Sequence, residues 1–132
     1  MRLVFFGSSK ESSEVLNKLL NNDFNVDLVV TQDSKASGRG LRISITPVEK
    51  VAKNKKLEVT NGNVLFQEDH IKKLIKRNPD LFVVVAYGKI LPKAILKIPR
   101  LGTINIHPSM LPLFRGPSPV ATTILEGVGS TG

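Results

Sequence analysis

Apolar and polar positions along the chain follow two alternating periodicities. Residues 3–6, Leu-Val-Phe-Phe, form an unbroken run of β-favouring side chains that stops at Gly7, the pattern of a strand buried on both faces. Val15, Leu16, Leu19 and Leu20 then recur at helical spacing as far as Asn21-Asn22-Asp23, which predicts a helix with one apolar face. A second strand is expected over 26–31. Residues 32–45, with Gly38, Gly40 and three basic side chains, show little periodicity and are expected to form a long, mobile loop. Its end is marked by Thr46-Pro47-Val48-Glu49, which sets a hydroxyl at the N-cap, proline at the first helical position and glutamate at the third. A helix from Pro47 to about Lys55 follows.

Residues 57–60 are a short strand candidate. The helix expected at 67–77 carries Glu68 and Asp69 at its start and Lys76 and Arg77 at its end, the signs a helix dipole favours, and Pro79 stops it. Residues 81–86 carry the strongest strand signal, five consecutive apolar residues of which three are valine, followed by Ala86. Tyr87-Gly88 turns the chain into Ile90-Leu91-Pro92 and a short helical piece ending at Leu96. Residues 103–107 make one more strand and 118–126 the last helix. Strands alternating with helices at this spacing require crossover connections, hence an α/β fold: a doubly wound, Rossmann-like, mostly parallel sheet with helices on both faces. Residues 1–132 are expected to form a single domain of this kind, with ligands bound beyond the carboxyl ends of its strands.

Composition removes several functions. There is no cysteine, so a disulfide framework, a thiolate zinc site and a cysteine nucleophile are all excluded. The first apolar run holds four residues, far short of a signal-peptide core or a membrane span, and a cytoplasmic location away from membranes is the expectation. The formal charge of +8 comes mainly from residues 51–100, where eleven Lys or Arg face four Asp or Glu. Solvated helix faces and a surface turned to nucleic acid both account for such a surplus.

Candidate chemistry collects near the last strand. Asn105 and His107 are two residues apart at its carboxyl end, a spacing that puts both side chains on one face of a sheet. An imidazole can move a proton near neutrality, and a carboxamide can donate to a carbonyl oxygen as it becomes negative, which together make acyl-transfer equipment. A histidine that merely hydrogen-bonds at a strand end is the alternative. His70, in the first turn of a charged helix, is expected to be solvated. Tyr87 fits either a pocket border or a buried position with its hydroxyl satisfied.

The string at 104–116, Ile-Asn-Ile-His-Pro-Ser-Met-Leu-Pro-Leu-Phe-Arg-Gly, resembles the signature of the folate-dependent formyltransferases, and the resemblance extends over nearly all of the chain. It implies 10-formyltetrahydrofolate as co-substrate, no metal, and Asn105 and His107 as the catalytic pair beside the formyl group. It further implies folate contacts from Ser109, Met110, Leu111 and Pro112, and from Tyr87, Gly88, Ile90 and Leu91 in the string at 84–92. The segment 31–40, beginning Thr-Gln and ending Gly-Arg-Gly, with Pro-Val at the next helix, is similar to the branch of the family that acts on methionyl-tRNA. That likeness implies initiator methionyl-tRNA as acceptor, a role in translation initiation, and contacts from Lys35, Arg39, Gly40 and Arg42 to phosphates of the acceptor arm. A monomer is expected.

Departures from the family pattern are few. Gly7-Ser8-Ser9 stands where Gly-Thr-Pro is usual, and a loop proline near Asp33 is missing. The family's catalytic aspartate is expected after Thr131-Gly132, so the carboxylate orienting His107 is expected from there and the chain by itself is expected to be nearly inert. The same holds for a C-terminal tRNA-binding domain. Two other readings remain open: a formyltransferase acting on an amino sugar nucleotide, and a non-catalytic RNA-binding module in which the basic surplus and the glycine-containing loop are the working features. No GxGxxG or P-loop string follows the first strand, which argues against a nucleotide-binding domain.

Overall fold

Leu3, Val4, Phe5 and Phe6 are all enclosed because their strand, β1 (Arg2–Gly7), is the middle one of five. The computed structural model describes residues 1–33, 35–37, 42–65, 67–116 and 118–132. Beside β1 run β2 (Asn25–Thr31) and β6 (Leu81–Val85), with β5 (Val59–Asn61) and β7 (Thr103–Ile106) at the edges, in the order β5-β2-β1-β6-β7 and parallel throughout. Alternate residues of β1 point to opposite faces. Leu3 and Phe5 join Leu16 of α1 (Lys10–Asn21) and Val48 and Ala52 of α2 (Pro47–Asn54). Val4 and Phe6 join Leu65 of α3 (Gly62–Leu65), Leu74 of α4 (Glu68–Lys76) and Ile95 of α5 (Lys93–Leu96). Helices therefore cover both faces, and each of these buried Leu, Val, Ile and Phe side chains contributes about 1.5–3 kcal/mol by leaving water.

Local chemistry sets the helix starts. The Ser9 side chain accepts from Ser12 N–H at the head of α1, and Thr46 Oγ1 accepts from Glu49 N–H at 3.0 Å at the head of α2, the cap anticipated there. At the amino-terminal edge of the sheet Asp80 accepts from Arg2 N–H at 2.7 Å and from the Arg100 guanidinium at 3.0 Å. Those bonds, the first from Arg2, hold the Asp80 carboxyl below the usual carboxylate range. Arg77 pairs with Asp27 at 2.9 Å and with Glu58, joining α4 to the strand side.

The long loop expected over 32–45 holds secondary structure that its sequence does not announce. Lys35–Ser37 (β3) and Arg42–Ser44 (β4) form a two-stranded antiparallel ladder that pairs Lys35 with Ser44, Ala36 with Ile43 and Ser37 with Arg42. Such a ladder is held by reciprocal backbone bonds and needs no apolar run, so hydrophobic periodicity does not reveal it. Strand β5 begins two residues later than expected, and the four-residue α3 directly after it has no periodic signal at so short a length. Strand β7 ends at Ile106, one residue before His107. It is an edge strand with Ile104 and Ile106 exposed, and α6 (Pro119–Leu125) likewise shows Val120, Ile124 and Leu125 to solvent. No helix among the described residues is long and apolar enough to cross a membrane.

Candidate active site

The carboxyl ends of β1, β2 and β6 are tied together before any ligand is considered. A Cβ on Gly7 would stand 2.7 Å from Ser12 Cβ, so glycine is what lets α1 start against the strand end. Ser12 Oγ then donates to the Val85 carbonyl at 2.6 Å. Ser8 Oγ accepts from Gln32 N–H at 3.0 Å, and Gln32 Nε2 donates to the Tyr87 carbonyl at 2.6 Å. The chain leaves β6 through two left-handed residues, Ala86 (φ 39°) and Gly88 (φ 78°). A side chain on Gly88 would collide with Gln32 Nε2, a second reason for glycine there.

This turn sends Tyr87 inward and Ile90 outward. Tyr87 is 2% exposed, packs edge-on against Phe6 at 5.6 Å, and sets its hydroxyl where a Cβ on Gly62 would be. The hydroxyl has no hydrogen-bond partner among the described residues. Burial, then the Asp33 charge, pushes its pKa up to about 12. Tyr87 thus belongs to the core beneath the turn and does not line the cleft above it. Gly88 shapes the turn.

The cleft, about 480 Å³, is lined by Val84, Lys89, Ile90, Leu91, Leu96, Thr103 and Asn105. Its floor is aliphatic, and Lys89, Thr103 and Asn105 supply polar edges. Ile90 is 95% exposed and so costs free energy unless something covers it. Lys89 Nζ donates to Asn63 Oδ1, whose amide in turn donates to Asp33. A smaller cleft of about 230 Å³, lined by Ser8, Gln32, Asp33, Ser44, Ile45, Thr46 and Pro47, opens at the end of β2.

Asn105 lies on β7 opposite Val84 and opens onto the larger cleft; His107 lies just past the strand, half-buried. His107 Nδ1 is 2.9 Å from Ser109 Oγ and Nε2 is 3.3 Å from the Gly116 carbonyl oxygen. Ser109 is buried and also donates to the Leu113 carbonyl at 2.8 Å, so it faces the histidine and not the cleft. Met110, Leu111 and Pro112 are exposed on the loop that follows. Lys35 and Arg42 stand on the β3–β4 ladder, while Arg39 and Gly40 lie outside the described residues.

Of the residues anticipated from the sequence, Ile90, Leu91 and Asn105 therefore share one cleft. Leu96 and Thr103 were not anticipated as lining, and Val84 and Lys89 only as members of the 84–92 string. Thr103 keeps the strand alternation with Asn105, but Val84 meets Asn105 only through a register that one sequence does not display. His70 departs from its expected solvated role: it is half-buried with Nδ1 enclosed and without a partner among the described residues. It sits one helical turn from buried Leu74, which draws that edge of the ring inward. No group of three or more His, Asp or Glu among the described residues could hold a metal.

The parallel sheet with helices on both faces and an aliphatic cleft at its strand ends, onto which Asn105 opens, makes this an α/β domain of the doubly wound class. The chain belongs to the formyl transferase family, whose model matches residues 1–132. A methionyl-tRNA formyltransferase of Thermotoga maritima is 40% identical over 132 residues, and one of Ehrlichia ruminantium is 43% identical over 136. All of the chain is matched in both, against 42% and 44% of those proteins, so it spans less than half the length of these curated relatives. Among solved structures, the phosphoribosylglycinamide formyltransferase of Bacillus halodurans superimposes with a TM-score of 0.74 at 20% identity, over the whole of this chain and 69% of that one. At that identity the likeness concerns the fold.

Proposed function

We propose that this chain carries the transfer centre of a methionyl-tRNA formyltransferase, which moves a formyl group from 10-formyltetrahydrofolate to the amino group of initiator methionyl-tRNA. The observation that carries the reading is Asn105 opening onto an aliphatic cleft at the strand ends, with His107 two residues on. Val84, Ile90, Leu91 and Leu96 suit one face of a flat heterocycle, and Lys89 and Thr103 suit its polar edge. The name shared by relatives at about 40% identity supports the acceptor.

In this reading the co-substrate supplies the one-carbon group, and the chain's residues handle charge and protons. The Asn105 carboxamide donates to the formyl oxygen as attack makes it negative. His107 takes the proton that the amine releases when its nitrogen bonds to the formyl carbon, and returns it to the departing folate nitrogen. Met110, Leu111 and Pro112 are assigned to the folate, and Lys35 and Arg42, together with Arg39 and Gly40, to acceptor-arm phosphates. A cytoplasmic setting follows from the acceptor.

Formylation of methionyl-tRNA by the whole protein tests the proposal. Asn105→Ala is expected to lower kcat/KM by about 10²–10³-fold and His107→Ala by about 10²–10⁴-fold, with circular dichroism unchanged. Wild-type rates from Asn105→Ala would remove the oxyanion role. Preference for an amino sugar nucleotide over methionyl-tRNA would move the protein to the sugar-formylating branch.

A further inference from the structure

The smaller cleft, at the end of β2, has no part in the reaction as described so far, yet its wall is built mainly of polar side chains. Ser8, Gln32, Asp33, Ser44 and Thr46 line it, with Ile45 and Pro47 as the apolar remainder. Ser8 Oγ accepts from Gln32 N–H at 3.0 Å and more loosely from Thr31 Oγ1 at 3.5 Å, which leaves its own proton to donate. Asp33 takes the Asn63 amide on Oδ2, and Oδ1 has no hydrogen bond among the described residues. A sugar hydroxyl suits this pair, since it gives its proton to the carboxylate and accepts from the serine. The Asp33 charge sets the cleft against a phosphate, although Ser9 and Thr46 cap two helix amino ends beside it. Position in the fold points the same way. In doubly wound domains that bind dinucleotides, an acidic side chain beyond the first βα unit accepts from a ribose hydroxyl, and Asp33, two residues past β2, holds that place here. The two clefts also adjoin: Asn63 accepts from Lys89 of the larger and donates to Asp33 of the smaller.

We propose that the smaller cleft receives the terminal ribose of the acceptor, Asp33 accepting from the hydroxyl that the methionyl ester leaves free and Ser8 donating to it. This rests on methionyl-tRNA being the acceptor, and it makes Asp33 a specificity-determining residue for the sugar that carries the amino acid. Only the ester carbonyl carbon and the α carbon stand between the esterified ribose oxygen and the amine nitrogen. Holding the sugar in one cleft therefore holds the amine beside the other, onto which Asn105 opens. Ser44 ends the β3–β4 ladder in register with Lys35, so the cleft lies where the segment assigned to the acceptor arm meets the strand ends.

Two acceptors test the contact: methionyl-tRNA with an ordinary terminal adenosine, and the same tRNA with the free ribose hydroxyl replaced by hydrogen, both acylated chemically. In formylation by the whole protein, loss of that hydroxyl should lower the wild-type kcat/KM by about 10- to 100-fold, the range for one hydrogen bond to a charged group. Asp33→Ala should lower it comparably on the ordinary acceptor, leave the KM for 10-formyltetrahydrofolate unchanged, and discriminate between the two acceptors by no more than about 2- to 3-fold. Asp33→Asn, which keeps an acceptor oxygen, should fall between. Calorimetry with the stable analogue 3′-methionylamido-3′-deoxyadenosine and its 2′-deoxy form reads the contact without turnover: wild type should bind the first more tightly by the same factor, and Asp33→Ala should bind both alike. Equal rates and equal binding of the two forms with wild type, or a discrimination that Asp33→Ala keeps in full, overturns the proposal. Binding that depends on the hydroxyl and on Asp33, without formylation of methionyl-tRNA, would instead remove the proposed reaction and leave the ribose assignment in place.

Discussion

Removing the Tyr87 hydroxyl should make the protein more stable. Tyr87 is buried, its ring packs on Phe6, and its oxygen has no hydrogen-bond partner among the described residues. A buried hydroxyl left unpaired costs about 1–3 kcal/mol in lost hydration, a cost that Tyr87→Phe relieves. Against it stands the void left beside Gly62, about 0.3 kcal/mol for an oxygen-sized space at about 24 cal/mol per Å³. The net expectation is a gain of about 1 kcal/mol, read as a rise in Tm of about 4 °C. The same burial fixes a pH dependence. The phenol is pushed up to about 12, so the folded chain keeps its proton where the unfolded chain, with an ordinary value of about 10, has lost it. Stability from this group is therefore full below pH 10 and is lost as pH rises through the folded value, by about 3 kcal/mol at the far end of that window. Urea midpoints of wild type and Tyr87→Phe should accordingly diverge above pH 10. Tyr87 is the only tyrosine in these 132 residues, so the ultraviolet tyrosinate band reports its ionisation. A Tyr87→Phe variant less stable by 1 kcal/mol or more, or a tyrosinate band that titrates near 10 while the chain is still folded, would refute the reasoning and give the hydroxyl a partner.

Two further perturbations test the frame around the site. Gly62→Ala should destabilise by about 1–3 kcal/mol because the new methyl overlaps the Tyr87 hydroxyl, and the double variant with Tyr87→Phe should recover part of that loss; simple additivity of the two changes would place the strain elsewhere. Asp80, with its carboxyl held below the usual range by Arg2 N–H and then Arg100, contributes stability that is present above the ordinary value of about 3.9 and is lost as pH falls through the lower folded value. Asp80→Asn should flatten the acid limb of a urea-midpoint profile below pH 4, and an unchanged limb would show that the contacts at the amino-terminal edge contribute little.

The periodic parts of the molecule were legible from residues alone. Leu3–Phe6 and the Leu81–Val85 run have no polar face to offer water, so central positions in a sheet covered on both sides were the only places for them, and the strand order bears this out. Thr46 and Glu49 announced the start of α2 because the cap is a local bond three residues long. The β3–β4 ladder and α3 stayed hidden because elements of three or four residues register no period, and these lack the flanking signals that marked the equally short β5 and α5, Leu57 before the one and Pro92 before the other. Tyr87 illustrates a different limit. Nothing in Ala86-Tyr87-Gly88 states that both flanking residues take positive φ, yet that pair of turns is what swings the ring beneath the cleft and presents Ile90 above it.

Asn105 and His107 show where alternation stops being a guide. Two residues apart in a continuing strand, their side chains would leave one face together, and on that rule both would open onto one cleft. Strand β7 ends at Ile106, so the rule orients Asn105, held in register opposite Val84, and has no force one residue later. His107 takes its direction instead from a loop that folds back on itself: Ser109 grips Nδ1, Leu113 holds Ser109, and Gly116 approaches Nε2. The carboxamide is thus placed by the sheet and the imidazole by hydrogen bonds that follow it. Perturbing β7 should displace Asn105 first, and perturbing the 109–116 loop should displace His107 first. The segment is therefore one motif in sequence but two mechanical units in the fold, joined at Ile106.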